Sequence, residues 1–140
     1  MKILVAMDGS IYSVKACRWV INLSRSLRLP PKICLLNADE ALSNSVAIRI
    51  GATEAARYHK ENAEYALKKG RSLLQRAGLQ STEEARIGHP AEVILEVAKQ
   101  YKADFIVMGS HGRTPLKSLV LGSVTSKVIA GTSIPVAVIR

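Results

Sequence analysis

The sequence predicts a single α/β domain built on an open, parallel, five-stranded sheet with helices on both faces. Its 140 residues match one domain of ordinary size, and with 48% hydrophobic residues the chain can bury a core. Short continuous apolar runs alternate with segments of helical periodicity. Because enough residues for a helix separate each run from the next, neighbouring strands are expected to be parallel. No internal repeat or second domain boundary is evident, so residues 1–140 are predicted to form one domain.

The N-terminal part of the chain is predicted to form a strand, a helix and a second strand. The continuous apolar run Ile3–Met7 is typical of a strand that is covered on both faces. Apolar residues then recur at three- and four-residue steps over residues 14–27, which predicts an amphipathic helix with Ser10 or Ser13 as its N-cap. A second apolar run, Ile33–Leu36, predicts the next strand.

The middle of the chain is more polar. The segment at about 40–50 contains Ser and Asn residues and is predicted to be a loop. A long helix is predicted over Thr53–Ala77, with Gly70 as a weak interior position and Gly78 as its C-terminal stop. The polar run Glu83–Ile87 predicts a strand at the edge of the sheet.

The last third of the chain is predicted to contain two helices and two strands. The first helix opens at His89-Pro90, since proline is favoured in a first turn. Asp104–Met108 is the third strong strand, Val124–Ala130 a helix, and Ile134–Ile139 the last strand. In an open sheet of this kind ligands bind beyond the carboxyl ends of the strands, where the winding reverses. The residues that follow each strand are therefore the candidates for a site.

Composition excludes several classes of protein. With two cysteines, Cys17 and Cys34, the chain is neither a disulfide-stapled miniprotein nor a Cys-ligated zinc module, and both thiols are expected to be buried. No run approaches the roughly 18–20 apolar residues of a membrane span, and the N-terminal run is too short for a signal peptide, so we expect a cytoplasmic protein. The net charge of +9 points to an anionic partner. With only 4% aromatic residues, the chain lacks the interleaved aromatic and basic pattern of proteins that bind single-stranded nucleic acid, and a nucleic-acid partner is not expected.

The most informative segment is the glycine-rich one between the fourth strand and the last helix. Gly109 and Gly112 allow close approach of the backbone, so that several N–H groups can point at one anion. Gly122 and Ser123 lie where a helix N-terminus presents unpaired N–H groups, and a phosphate would fit there with the hydroxyls of Ser123 and Thr125 as further donors. The alternative is an ordinary turn with a capping serine, and these residues alone leave both interpretations open.

The charge of the C-terminal quarter favours the phosphate interpretation. After Asp104 the chain has no Asp or Glu. Its basic residues there are Arg113, Lys117, Lys127 and Arg140. Neither G-x-x-x-x-G-K-[ST] nor G-x-G-x-x-G occurs, so the sequence gives no support to a P-loop or a dinucleotide fingerprint.

Four stretches of the sequence resemble the universal stress protein family. The spacing G-x2-G-x9-G-S, formed by Gly109, Gly112, Gly122 and Ser123, is similar to the nucleotide-binding signature of that family. The other three stretches, in the family's order along the chain, are residues 3–10, 88–94 and 133–139. The resemblance spans nearly the whole chain.

The resemblance implies a sheet order of 3-2-1-4-5 and ATP held between the carboxyl ends of strands one and four. Asp8 would meet the ribose or adenine side, and the segments after the fourth strand and before the last helix would wrap the ribose and phosphates. The residues implied at the nucleotide are Ala6, Asp8, Ala38, Gly109, Ser110, His111, Gly112, Arg113, Gly122, Ser123 and Val124. Mg²⁺ or Mn²⁺ would be bound through the phosphates, with no protein residue predicted as a metal ligand.

The resemblance also implies a homodimer formed partly through the last strand, where Val136 and Val138 would be covered. One departure from the family pattern is Asn37, where the family often has His before the residue that lines the adenine. That position lies behind the ligand contacts, so the departure bears on fine specificity more than on binding.

Three functions are left open by the residues. The first is a regulatory protein that binds adenine nucleotide. The second is an enzyme, a slow ATPase or a self-phosphorylating protein, for which Asp8 is the acid in reach and His111 the group that could accept a proton. The third is an adaptor that needs no nucleotide. Asp8 itself is expected either to face the ligand or to cap the turn after the first strand.

Overall fold

The computed structural model describes residues 1–113 and 121–140. The described chain forms five strands and five helices, with two helices in succession between the second and third strands: β1 Lys2–Ala6, α1 Ile11–Ser24, β2 Lys32–Asp39, α2 Asn44–Ile50, α3 Ala52–Arg76, β3 Ser81–Ile87, α4 Pro90–Tyr101, β4 Phe105–Gly109, α5 Ser123–Gly131 and β5 Val136–Ile139. All neighbouring strands are parallel, in the order β3-β2-β1-β4-β5. The predicted α/β class and the strand order implied by the resemblance are both confirmed.

The central strands are apolar over most of their length because helices cover both faces of the sheet. In β1, Ile3, Leu4 and Val5 are fully buried. Since side chains alternate along a strand, Ile3 and Val5 belong to one core, which includes Val20 of α1, whereas Leu4 belongs to the other, which includes Ile94 of α4. This two-sided burial produces the continuous apolar runs from which the fold class was predicted.

Helix α1 begins at the first of the two predicted caps. The Ser10 hydroxyl accepts a hydrogen bond from the N–H of Ser13 at 3.2 Å, and both residues are buried. The helix ends at Ser24, earlier than its periodicity predicts, because residues 25–29 form turns.

The segment predicted as a loop contains a short helix, so that prediction was wrong for residues 44–50. Helix α2 packs against α3, and Gly51 separates the two with a φ of 81°. None of the residues of α2 is buried, so its side chains show no periodicity that a core would impose. Its Ser and Asn residues favour loops, but they equally favour helix N-termini, where Ser43 and Asn44 lie.

The polar strand β3 is the edge strand that the sequence predicts, and α3 holds it. Arg71 of α3 donates from Nη1 and Nη2 to the two carboxylate oxygens of Glu64, each at 2.9 Å. Its Nε donates to Oε1 of Glu83 on β3 at 2.7 Å. The hydrogen bonds with Glu83 and Glu64 raise the pKa of Arg71 further above its usual range. Charge pairing therefore fixes an edge that has little apolar surface to bury.

Both cysteines are buried and free, as predicted. Burial raises the pKa of Cys17 to about 11 and also raises the pKa of Cys34, so both are thiols at neutral pH. No helix in residues 1–113 and 121–140 is long and apolar enough to cross a membrane.

Candidate functional site

The carboxyl ends of β1, β2 and β4 open into a cavity of about 390 Å³. It lies where the winding reverses, because the chain moves to β2 on one side of β1 and to β4 on the other. The volume is within the range of roughly 300–1,000 Å³ that small-molecule sites occupy. The lining consists of Ala6, Met7, Asp8, Ser13, Leu36, Asn37, Ala38, Asp39, Glu40, Pro90, Ile94, Met108, Gly109, His111, Gly112, Arg113, Gly122, Ser123, Val124 and Thr125.

The sequence implies eleven residues as nucleotide contacts, and ten of them are part of the lining of this cavity. They come from the ends of β1 and β2, from the segment after β4 and from the first turn of α5. The fold thus brings together segments that are far apart in the chain. Lys117, which was expected to add positive charge, lies outside the described residues.

Ser110 is the exception, since it is fully buried and does not line the cavity. Its N–H donates to the carbonyl of Ile139 at 2.8 Å, and its own carbonyl accepts from the N–H of Gly122 at 2.9 Å. Its hydroxyl lies 3.0 Å from Nδ1 of His111. Ser110 therefore supports the wall of the cavity from behind, joining β5, α5 and His111.

Asp8 both fixes the turn after β1 and lines the cavity. Its Oδ1 accepts from the N–H of Ser10 at 2.9 Å, which fixes the turn after β1. The same side chain lines the cavity, where Oδ2 lies 3.1 Å from the point that a Cβ on Gly112 would occupy. One carboxylate oxygen is thus structural and the other faces the glycine segment.

Gly109 and Gly122 of the signature lie close to different parts of the chain, so a side chain is disfavoured at each for a different reason. A Cβ on Gly109 would lie 2.6 Å from Cβ and 2.8 Å from the carbonyl carbon of Tyr12, so Gly109 lets α1 pack against the end of β4. A Cβ on Gly122 would lie 3.3 Å from the carbonyl oxygen of Ser110. The sequence interpretation assigned Gly109 to ligand approach, and it missed this packing contact with α1.

The first turn of α5 presents N–H groups to the cavity. The first helical hydrogen bond runs from the N–H of Ser126 to the carbonyl of Gly122, so the N–H groups of Ser123, Val124 and Thr125 have no acceptor within the helix. The turn contains no acidic residue, and the dipole adds partial positive charge. The hydroxyl of Thr125 is not a spare donor, contrary to expectation, because it donates to the carbonyl of Gly109 at 3.0 Å.

Arg113 lies across the mouth of the cavity. Its Nε donates to the carbonyl oxygen of Asp8 at 2.6 Å, and its guanidinium carbon lies 5.1 Å from the centre of the Tyr65 ring. This places the arginine of the glycine segment against the turn that follows β1.

Two polar residues of β2 line the cavity but were not predicted to face it. Asn37 is buried, and its Nδ2 donates to the carbonyl of Met7 at 3.0 Å. Its Oδ1 has no hydrogen-bond partner among the described residues. Asp39 accepts from Asn62 of α3 at 3.0 Å, and its carboxylate lies 2.6 Å from Nδ1 of His59. The signal that could have found them is the two-residue spacing of a strand, which places Asn37 and Asp39 on the same face as Leu35 although their polar side chains interrupt the apolar run.

Solved structures with the same fold include nucleotide complexes. The structure of MJ0577 from Methanocaldococcus jannaschii has a TM-score of 0.84 and 28% identity, covering 99% of this chain and 94% of that one. A universal stress protein in complex with cAMP has a TM-score of 0.72 at 23% identity, covering 100% and 97%. The Archaeoglobus fulgidus protein in complex with dAMP has a TM-score of 0.68 at 21% identity, covering 100% and 98%. An Arabidopsis thaliana family protein with AMP bound has a TM-score of 0.70 at 20% identity, covering 99% and 90%.

Sequence comparison gives the family directly. Universal stress protein MJ0531 of Methanocaldococcus jannaschii is 32% identical over 143 aligned residues, which cover 99% of this chain and 81% of that protein. Universal stress protein Slr1230 of Synechocystis is 28% identical over 139 residues, and the match spans 42% of its length. The sequence profile of the universal stress protein family matches residues 1–140. The chain therefore belongs to the universal stress protein family.

Proposed function

We propose that the protein binds an adenine nucleotide, with ATP as the principal ligand, in the cavity at the ends of β1, β2 and β4, and acts as a nucleotide-dependent regulatory protein. The observation that carries the proposal is that one cavity is lined both by residues suited to phosphate and by apolar residues. The residues suited to phosphate, here called the phosphate end, are Arg113, Gly122 and Ser123. The apolar residues are Ala6, Leu36, Ala38, Ile94 and Met108.

The phosphate end has the groups that a polyphosphate needs. Three N–H groups of α5 lack helical acceptors, the helix dipole is positive there, and Arg113 supplies a full positive charge. The apolar residues offer a surface that a purine base can contact. The nucleotides bound by the relatives, cAMP, dAMP and AMP, all carry adenine, which supports the choice of base.

The described residues offer little for a divalent ion. No group of three or more His, Cys, Asp or Glu residues that could hold a metal occurs in residues 1–113 and 121–140. Asp8 is partly engaged in its turn. We therefore propose that Mg²⁺ or Mn²⁺ accompanies ATP chiefly through phosphate oxygens.

Binding without efficient hydrolysis follows from the same contacts. An ATPase must orient the attacking water as well as stabilise charge at the γ-phosphate. Of the three cavity carboxylates, Asp8 fixes the turn after β1, Asp39 is held by His59 and Asn62 of α3, and Glu40 lies exposed just beyond the end of β2. No catalytic residue is assigned.

A homodimer through β5 is the second part of the proposal. β5 pairs with β4 and lies at the edge of the sheet, so its outer N–H and C=O groups are open to a strand from a second copy. Val136 and Val138 are half-buried in the single chain. Isologous pairing around a two-fold axis would cover them.

Mass spectrometry of ligand released from the purified protein, together with calorimetric titration by ATP and GTP, tests the binding proposal. We expect adenine nucleotide in the extract, binding of ATP, and its loss in Gly122→Val, whose side chain would press on the carbonyl of Ser110. Gly131→Ala, at the opposite end of α5, is the matched control and should bind normally. If the wild type releases no nucleotide and binds no ATP, the nucleotide-independent adaptor is the better description.

A further inference from the structure

Tyr65 lies beside the cavity and contacts the turn that follows β1. Its ring carbons Cε1 and Cδ1 lie 2.5 and 2.8 Å from the point that a Cβ on Gly9 would occupy. Gly9 has a φ of 81°, so this turn excludes a side chain for two reasons, backbone conformation and the Tyr65 ring. Helix α3 thus places an aromatic ring directly on the turn that carries Asp8.

The same ring contacts Arg113 from the other side of the site. The guanidinium carbon lies 5.1 Å from the ring centre, within the distance of a cation–π interaction. Tyr65 is 58% exposed, so the ring is not needed to fill the core.

Arg113 is held at one edge of its guanidinium and open at the other. Its Nε donates to the carbonyl oxygen of Asp8 at 2.6 Å. Within the part of the chain that the structure describes, Nη1 and Nη2 make no further hydrogen bond. These two nitrogens form the planar pair that binds phosphate oxygens in a bidentate manner.

We propose that Tyr65 is a positioning residue that orients Arg113 toward the polyphosphate of the bound nucleotide. Two contacts, one with the carbonyl of Asp8 and one with the ring of Tyr65, restrict the position of the guanidinium. Without the ring, an exposed arginine would sample many rotamers, and its ordering would oppose binding. The inference rests on the proposed function, and it adds that Tyr65 favours ligands with several phosphates over the bare nucleoside.

Calorimetric titration with ATP and with adenosine tests the inference. The variants are Tyr65→Leu, Tyr65→Phe, Arg113→Ala, and the double variant that combines Tyr65→Leu with Arg113→Ala. Tyr65→Leu should weaken ATP about two- to fivefold, as expected for an exposed cation–π contact, and leave adenosine unchanged. Tyr65→Phe keeps the ring face and should stay within about twofold of wild type. In the Arg113→Ala background, Tyr65→Leu should cause no further loss, because the group that it orients is absent.

Tyr101→Leu is the matched control. The ring of Tyr101 lies 5.4 Å from Nζ of Lys2 at the amino ends of the strands, so the substitution removes a comparable contact far from the cavity and should leave ATP affinity unchanged. An equal loss for ATP and adenosine in Tyr65→Leu, a loss that persists without Arg113, or unchanged ATP affinity in Tyr65→Leu would each overturn the inference. Absence of ATP binding in the wild type would instead overturn the proposed function.

Discussion

Replacing Gly109 with alanine is expected to destabilise the nucleotide-free protein by about 3 kcal/mol, as overpacking against backbone does. The new Cβ would lie 2.6 Å from Cβ of Tyr12, 2.8 Å from its carbonyl carbon and 3.0 Å from the nitrogen of Ser13. Two of these three atoms are backbone, so no rotamer change relieves the overlap. Either the first turn of α1 or the end of β4 must move, and the buried cores on both faces of the sheet oppose both movements.

The expected change in melting temperature follows from the size of the domain. A chain of this length loses about 3 °C in Tm for each kcal/mol, so Gly109→Ala should melt about 10 °C below wild type. Gly131→Ala is a control with the same nominal overlap, because its Cβ would lie 2.6 Å from Cδ1 of Leu95. That atom is the end of a flexible side chain, so the fall in Tm should be under about 3 °C.

Scanning calorimetry on both variants, freed of nucleotide, is the assay. Equal Tm values for the two variants would contradict the distinction between backbone and side-chain overlap. A Gly109→Ala protein that keeps the wild-type Tm and loses only nucleotide affinity would show that the ligand, and not α1, requires this glycine.

Four further results are expected. Ser123→Ala should weaken ATP about tenfold in calorimetry, since it removes a donor to a charged phosphate, and an unchanged Kd would exclude this hydroxyl from the site. Phosphate release should stay well below the roughly 1 per second of slow enzymes, and a faster rate abolished by His111→Ala would make the protein an enzyme. Val138→Asp should convert dimer to monomer in sedimentation at tens of micromolar, whereas a monomeric wild type would refute the β5 interface. Arg71→Gln should lower Tm at neutral pH. Because Arg71 lowers the pKa of Glu64, the stability contributed by this ion pair is lost as the pH falls through that lowered pKa. An equal difference in Tm between the variant and wild type at pH 7 and at acid pH would contradict the ion pair.

The fold could be predicted from the sequence because burial on both faces leaves a local signal. Each central strand is a continuous apolar run, and each covering helix shows its own period. Helix α2 escaped prediction because none of its residues is buried, and the end of β2 escaped because Asn37 and Asp39 interrupt the apolar run. Both failures concern residues whose structure depends on neighbours outside the segment.

The site could be predicted only as far as contiguous motifs reach. Gly109 and Gly122 were found by their spacing, but the contact that requires Gly109 comes from Tyr12, nearly a hundred residues earlier in the chain. The contact of Arg113 with Tyr65 and the one between Asp39 and His59 join separate elements in the same way. Such pairs leave no periodic trace in one sequence, so the three-dimensional structure is needed to find them.

Ser110 links the edge strand to the proposed nucleotide site through two backbone hydrogen bonds, one to Ile139 of β5 and one from Gly122 before α5. If nucleotide contact at Gly122 alters the geometry of β5, the affinity of one copy for another changes with it. Thermodynamic reciprocity then requires that self-association change nucleotide affinity by the same factor. Under that coupling, the nucleotide occupancy of the protein would depend on how many copies of it the cell contains.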